Sequence, residues 1–162
     1  MSKKKNITIE NVIVTDAGAK GKSVAKAPDG RVIFINNAIP GDVVDVQTTK
    51  KKSAYYEGFA TKFHEYSNRR VTPVCAHFGY CGGCKWQDMN YESQLFYKQK
   101  EVENNLVRLG KITIPELMPI VASENIYFYR NKMEFSFSDM RWLTPEEIQN
   151  ADTIEQRNGL GF

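Results

Sequence analysis

The chain has 162 residues, 41% of them hydrophobic and 12% aromatic, with a formal net charge of +3, which suffices to bury a core in one or two small domains. No apolar run approaches the roughly 20 residues that span a bilayer, and Met1-Ser-Lys-Lys-Lys-Asn lacks the apolar stretch of a signal peptide, so no membrane partner and a cytoplasmic location are expected. Residues 1–70 carry 13 Lys/Arg against 7 Asp/Glu and residues 71–162 carry 9 against 12; the first segment is the better polyanion binder, although Lys3 to Lys5 can simply solubilise the terminus.

Residues 6–66 read as short strands separated by turn chemistry. Ile7–Val14 and Ser23–Ala27 come first, Arg31–Ile35 follows the turn signal Pro28-Asp29-Gly30, Asp42–Thr48 follows Pro40-Gly41, and a last strand runs from Tyr55 to Glu65. Five short strands in about sixty residues predict a small closed barrel. Alternation puts Val44 and Val46 on one face and Val43 and Asp45 on the other. The turns hold much of the positive charge: Lys20 and Lys22 beside Gly18 and Gly21, Arg31, and Lys50, Lys51 and Lys52 ahead of Tyr55 and Tyr56. Lysines on glycine-rich loops attract phosphate without regard to sequence, and exposed aromatics stack on bases; a soluble barrel with solvated loops has the same composition.

A basic connector, Ser67-Asn-Arg-Arg-Val-Thr-Pro-Val74, leads into Cys75-Ala-His-Phe-Gly-Tyr-Cys81-Gly-Gly-Cys84, which contains every cysteine of the chain. Arg69 and Arg70 suit either phosphate or the acidic second half. A Cys-x-x-Cys turn lets two sulfurs converge on one metal, Gly82 and Gly83 can adopt positive backbone torsions, and the upstream thiolate can close on the same centre. Three ligands are one short of the usual four for tetrahedral zinc or a cubane iron–sulfur cluster.

Beyond the loop, Asn90 can cap a helix from Tyr91 to just before Gly110, a candidate left-handed terminator, with Tyr91, Leu95, Val102, Leu106 and Leu109 as its packing stripe. Tyr127–Phe137 has strand composition, with Arg130 and Lys132 on one face as a candidate RNA platform. Thr144-Pro145-Glu146-Glu147 carries a capping box with proline at the first helical position. Gly159-Leu-Gly-Phe162, without turn or polar tail, reads as a cut end.

Taken together, the basic barrel, Ser67-Asn-Arg-Arg-Val-Thr-Pro-Val-Cys75-x5-Cys81-Gly-Gly-Cys84-x2-Gln87-x3-Tyr91-x2-Gln94-x3-Lys98, and Tyr129-Arg-Asn-Lys132 resemble the amino-terminal part of the RNA (uracil-5-)-methyltransferase family, and within it the ribosomal RNA enzymes. The resemblance implies a mainly β fold with α: a five-stranded, OB-like TRAM barrel over 1–66, a connector and iron–sulfur loop over 67–90, and over 91–162 one long helix and the start of an α+β central domain. It implies that Cys75, Cys81 and Cys84 ligate a [4Fe-4S] cluster whose fourth ligand lies beyond Phe162. It also implies that the barrel lysines (Lys20, Lys22, Lys50, Lys51, Lys52) and Arg31, with Arg130 and Lys132, help hold RNA, here 23S rRNA, while the target uridine leaves its stack. No protein partner is implied.

Methylating uracil at carbon 5 needs a thiolate to add at carbon 6, a base to take the carbon 5 proton, and a methyl donor, S-adenosylmethionine in this family. The cluster would occupy all three cysteines, and Gly18-Ala-Lys-Gly21 has the wrong spacing for a nucleotide-binding loop. The chain therefore reads as a recognition portion without a catalytic residue, inactive alone. Two other classes stand beside this reading. One is a non-enzymatic TRAM-type RNA-binding module with a structural zinc that takes His77 or His64 as fourth ligand; the other is a thiol redox protein using Cys81 and Cys84, which would call for a βαβ setting.

Overall fold

The computed structural model describes residues 7–150 and 156–161; Lys3 to Lys5 lie outside the described residues. Five strands, β1 (Thr8–Ala17), β2 (Ser23–Lys26), β3 (Val32–Asn36), β4 (Val43–Lys51) and β5 (Tyr55–Glu65), close a barrel in the order β1-β2-β3-β5-β4. Each expected strand is present within a few residues of its predicted ends. All neighbouring pairs are antiparallel except β3 and β5, which run parallel.

Period-two alternation fills the interior. Val12, Val14, Ala25, Ile33, Ile35, Val44, Val46 and Tyr56 meet there, each less than a tenth exposed, while Val43 and Asp45 face outward as the alternation predicts. Tyr56 differs from its expected role, because the strand turns its ring inward and leaves only Tyr55 outside. Two glycines are dictated by close approach. A Cβ on Gly58 would stand 2.4 Å from the Gln47 carbonyl oxygen, and one on Gly41 (φ +99°) would stand 2.6 Å from Ser67 Oγ.

The barrel's open end is held by a buried carboxylate. Asp42 accepts backbone N–H bonds from Ile39 (2.7 Å) and Ser67 (2.9 Å), and both Nε (2.9 Å) and Nη2 (2.7 Å) of Arg70. Arg70 reaches on to Asp88 at 2.7 Å, and its guanidinium lies over the stacked rings of Phe63 and Tyr66. Burial raises the Asp88 carboxyl pKa against the lowering effect of Arg70. Arg70 thus pairs with carboxylates from both halves of the chain. Backbone bonds from Asn90 to Arg69 (2.8 Å) and from Val71 to Asp88 (3.0 Å), with an Arg70–Met89 bridge, lay residues 69–71 beside 88–90.

Helix α1 (Tyr91–Asn104) starts as predicted, the Asn90 side chain accepting the Ser93 N–H at 2.9 Å. Gln94 Nε2 donates to the carbonyls of Trp86 (3.0 Å) and Met89 (2.8 Å). The packed face is not the expected stripe. Ser93 and Tyr97 are the buried helix residues, Tyr97 against Ile39 and Met89, whereas Val102 and Leu109 are more than half exposed. The apolar patch that receives the helix is small, Ile39 and Met89 flanked by Ala17 and Trp86, and it engages one helical turn on the Ser93/Tyr97 side. Lys100 adds an ion pair to Asp16 at 2.7 Å. The helix ends in a wide turn, Gly110 N–H donating to Asn105 C=O at 2.9 Å. Gly110 itself is right-handed (φ −71°), and Lys111 takes the positive torsion instead. The glycine is needed for space, since a Cβ there would stand 2.7 Å from the Leu106 carbonyl oxygen.

The chain divides into two compact units: residues up to Thr72 with Lys85–Ala122, and Pro73–Cys84 with the described residues from Ser123 onward. In the second unit the predicted strand over 127–137 is absent. Only Ser136–Ser138 (β6) pairs, with Gly159–Gly161 (β7), because the described residues supply no longer edge to satisfy its backbone. Helix α2 (Pro145–Gln149) carries the predicted box: Glu147 N–H donates to Thr144 Oγ1 (3.3 Å) and Thr144 N–H donates to Glu147 Oε2 (2.9 Å). Among the described residues no helix is long and apolar enough to cross a membrane.

Candidate nucleic-acid face and cysteine loop

The outward residues of β2, β3, β5 and β4 form one face. Val24, Phe34, Glu57 and Lys50 are register partners in a row across the four strands, with Asn36, Phe59 and Gln47 in a row beside it. Phe34 and Tyr55 meet edge to face at 5.6 Å, and Phe59 is 38% exposed. At the centre of the face, Glu57 Oε2 receives Lys22 Nζ at 2.9 Å and Lys50 Nζ at 3.5 Å. The hydrogen bond from Lys22, helped by both lysine charges, lowers the Glu57 carboxyl pKa.

The predicted basic residues divide into two groups. Lys20 is exposed at a positive φ of 61° in the turn before β2, and Lys50, Lys51 and Lys52 are exposed around the β4–β5 turn. Among the described residues no carboxylate pairs with Lys20, Lys51 or Lys52. Arg31, by contrast, is engaged internally: its Nε donates to Asp29 at 2.9 Å, its Nη1 to the Lys52 carbonyl at 3.1 Å, and its guanidinium sits 4.1 Å from the Tyr56 ring centroid. Tyr56 donates its hydroxyl to Asp29 at 2.8 Å. The Arg31 hydrogen bond, followed by that of Tyr56, holds the Asp29 carboxyl well below the usual carboxylate range. Arg31 ties the β2–β3 turn to the β4–β5 hairpin.

In the second unit Arg130 and Lys132 are exposed on irregular backbone. Arg130 Nε donates to the Lys132 carbonyl at 3.1 Å, and Lys132 lies 3.4 Å from Glu134. The expected common strand face does not form, for want of the strand.

The cysteine loop is built from tight turns. Phe78 N–H donates to Cys75 C=O (3.1 Å), and the Tyr80 and Cys81 N–H groups both donate to His77 C=O (3.2 Å each). Gly79 and Gly82 have φ of +93° and +71°, and the Gly83 N–H points at Cys81 Sγ at 3.5 Å. No disulfide joins the three cysteines; Cys75 and Cys84 are exposed and Cys81 is half-buried. Soft cysteine sulfurs on a glycine-rich loop, one receiving an amide hydrogen bond, fit the donor chemistry of an iron–sulfur centre. Among the described residues, however, no three His, Cys, Asp or Glu side chains are gathered as a metal would need. His64 is engaged elsewhere, 2.7 Å from Asp45 Oδ1 on the barrel.

Residues 3–60 match the TRAM domain family. Over 144 residues the chain is 52% identical to an RNA methyltransferase of Bacteroides thetaiotaomicron, covering 89% of this chain and 32% of that one. It is 45% identical over 152 residues to an RNA methyltransferase of Porphyromonas gingivalis, covering 92% and 32%. The barrel residues match the TRAM domain family, and over most of its length the chain is similar to about a third of each of these RNA methyltransferases. A further relative, from an Acidovorax species, is named 23S rRNA (uracil(1939)-C(5))-methyltransferase RlmD; it is 37% identical over 131 residues, which cover 78% of this chain and 27% of that one. The chain spans about a third of the length of these relatives. The TRAM barrel is thus the part of this chain that carries the Lys22–Glu57–Lys50 face. Phe34, Glu57 and Phe59 were not singled out from sequence, although the alternation Tyr55-Tyr56-Glu57-Gly58-Phe59 could have marked the last two.

Proposed function

We propose that this chain is the RNA-recognition and [4Fe-4S]-binding portion of an S-adenosylmethionine-dependent RNA (uracil-5-)-methyltransferase acting on 23S rRNA. The observation that carries the reading is a likeness to the Acidovorax enzyme over 131 residues, too long for the TRAM domain alone to account for. The barrel supports it with Lys20, Lys50, Lys51 and Lys52 exposed on two turns beside an outward face bearing aromatic rings. Arg130 and Lys132 add exposed charge in the second unit.

Cys75, Cys81 and Cys84 would supply three of the cluster's ligands, with the Gly83 N–H directed at Cys81 Sγ. The cluster would order the loop. None of these cysteines is then available to attack uracil, so the nucleophile and the methyl-donor site belong to the remainder of the enzyme. The chain by itself binds RNA and does not turn over.

Two measurements test this. Affinity for 23S rRNA fragments should fall steeply with salt, and more than tenfold when Lys20, Lys50, Lys51 and Lys52 are neutralised together; unchanged affinity refutes the barrel's role. Iron and sulfide analysis of the full-length, anaerobically purified enzyme should find a cluster that Cys81→Ser removes. Iron and sulfide absent from that enzyme, or a stoichiometric zinc in their place, refutes the cluster.

A further inference from the structure

Glu57 is a carboxylate at the middle of an otherwise basic and aromatic face. Its side chain is 20% exposed, and one of its oxygens gathers the ammonium groups of Lys22 and Lys50, which arrive from opposite sides, one from the turn before β2 and the other from β4. Phe34 is its register partner on β3 and Phe59 lies two residues along β5. A singly charged anion held between two lysines and flanked by rings has the chemistry of a nucleotide's phosphodiester, with its base alongside.

We propose that Glu57 occupies the seat of an RNA phosphate: in the complex a phosphodiester replaces its carboxylate between Lys22 and Lys50, and an unpaired base stacks on Phe59. This rests on the RNA-binding reading above and deepens it. The exchange conserves charge, one monoanion for another, so the lysines keep a counter-ion throughout. In the free protein Glu57 holds both long side chains in place, which reduces the side-chain entropy lost when RNA binds. It also competes with the incoming phosphate, so the face is selective for a ligand that adds stacking to charge.

The test uses the 162-residue chain and fluorescein-labelled oligouridine, read by anisotropy at low salt, with a melting curve for each variant. Glu57→Gln should tighten binding about three- to tenfold, because the competing charge is gone while the side-chain shape remains. Glu65→Gln, the same charge change at the far end of β5, should alter it less than about twofold, the distance being screened. In a Lys22→Ala/Lys50→Ala background Glu57→Gln should give no gain. Phe59→Ala should weaken oligouridine and leave inorganic polyphosphate binding unchanged. The proposal is overturned if Glu57→Gln binds no tighter, if Glu65→Gln matches it, if the gain survives loss of both lysines, or if Phe59→Ala has no selective effect. Should those outcomes appear while neutralising Lys20, Lys51 and Lys52 still weakens binding, the RNA-binding reading stands and only the role of Glu57 falls. If the unmodified chain fails to bind oligouridine or rRNA at all, the broader reading falls with it.

Discussion

Arg70→Met is the most informative single change to the barrel unit. Methionine keeps much of the hydrophobic stem over Phe63 and Tyr66 but removes the guanidinium from Asp42, which is fully buried, and from Asp88. Breaking a buried pair by deleting one partner costs about 3–5 kcal/mol because the other charge is left without compensation. Arg70 is 20% exposed, so the lower end, about 3 kcal/mol, is expected. For a unit of this size that corresponds to a fall in Tm on the order of 15 °C, or a drop in the urea midpoint of about 1–2 M. Circular dichroism in a urea series on the purified chain reads this directly. Asp42→Asn in the Arg70→Met background should restore part of the loss, since the stranded charge is then gone while the amide oxygen still accepts one of the Ile39 and Ser67 N–H groups, which bond different oxygens of the carboxylate. A loss below about 1 kcal/mol in the single variant, or no recovery in the double, would refute the view of Asp42–Arg70 as the barrel's closing tie.

Gly58→Ala places a methyl group against the Gln47 backbone carbonyl, which cannot rotate away; a loss of at least about 2 kcal/mol in chemical denaturation is expected. Asn90→Ala removes the α1 cap and should cost about 1 kcal/mol, with amide exchange at Ser93 accelerating first. Arg141 and the Thr144 N–H hold the Glu147 carboxyl at a pKa of about 2 against an ordinary 4.5. Because the folded value is depressed, this contribution to α2 is fully present above about pH 4.5 and is lost as pH falls toward about 2. A carboxyl titration by NMR with its midpoint near 4.5 would show that the capping pair does not form in solution.

Much of the barrel was legible because each strand is bounded by a turn with its own chemistry, as at Pro28-Asp29-Gly30, where Gly30 takes φ +84°, and because Val44 and Val46 alternate with outward neighbours. The parallel β3–β5 pairing was not legible, since it depends on which edges meet when the sheet closes. The orientation of Tyr55 and Tyr56 shares that difficulty: adjacent residues on a strand face opposite ways, and only the register settles which one enters the core. The helix stripe failed for a related reason. Apolar residues repeat along α1, but the apolar patch available to it is Ile39 and Met89, and Tyr97 is the helix residue that reaches it. Over 127–135 strand composition meets no pairing edge among the described residues, for β-propensity forms a strand only where a neighbouring edge exists. The site was legible in its ingredients and not in its arrangement: the lysines could be read as basic, but the carboxylate that joins Lys22 to Lys50 lies 35 residues from one of them in sequence.

The short ladder joining residues 69–71 to 88–90 means that the intervening excursion departs and returns at neighbouring points of the barrel unit. Its endpoints are brought together by the barrel, so its length is thermodynamically cheap to alter: doubling a flexible loop adds only about 0.6 kcal/mol. The cysteine segment is therefore an exchangeable cassette, one that insertion, deletion or wholesale replacement could remodel while the five-stranded scaffold went on folding.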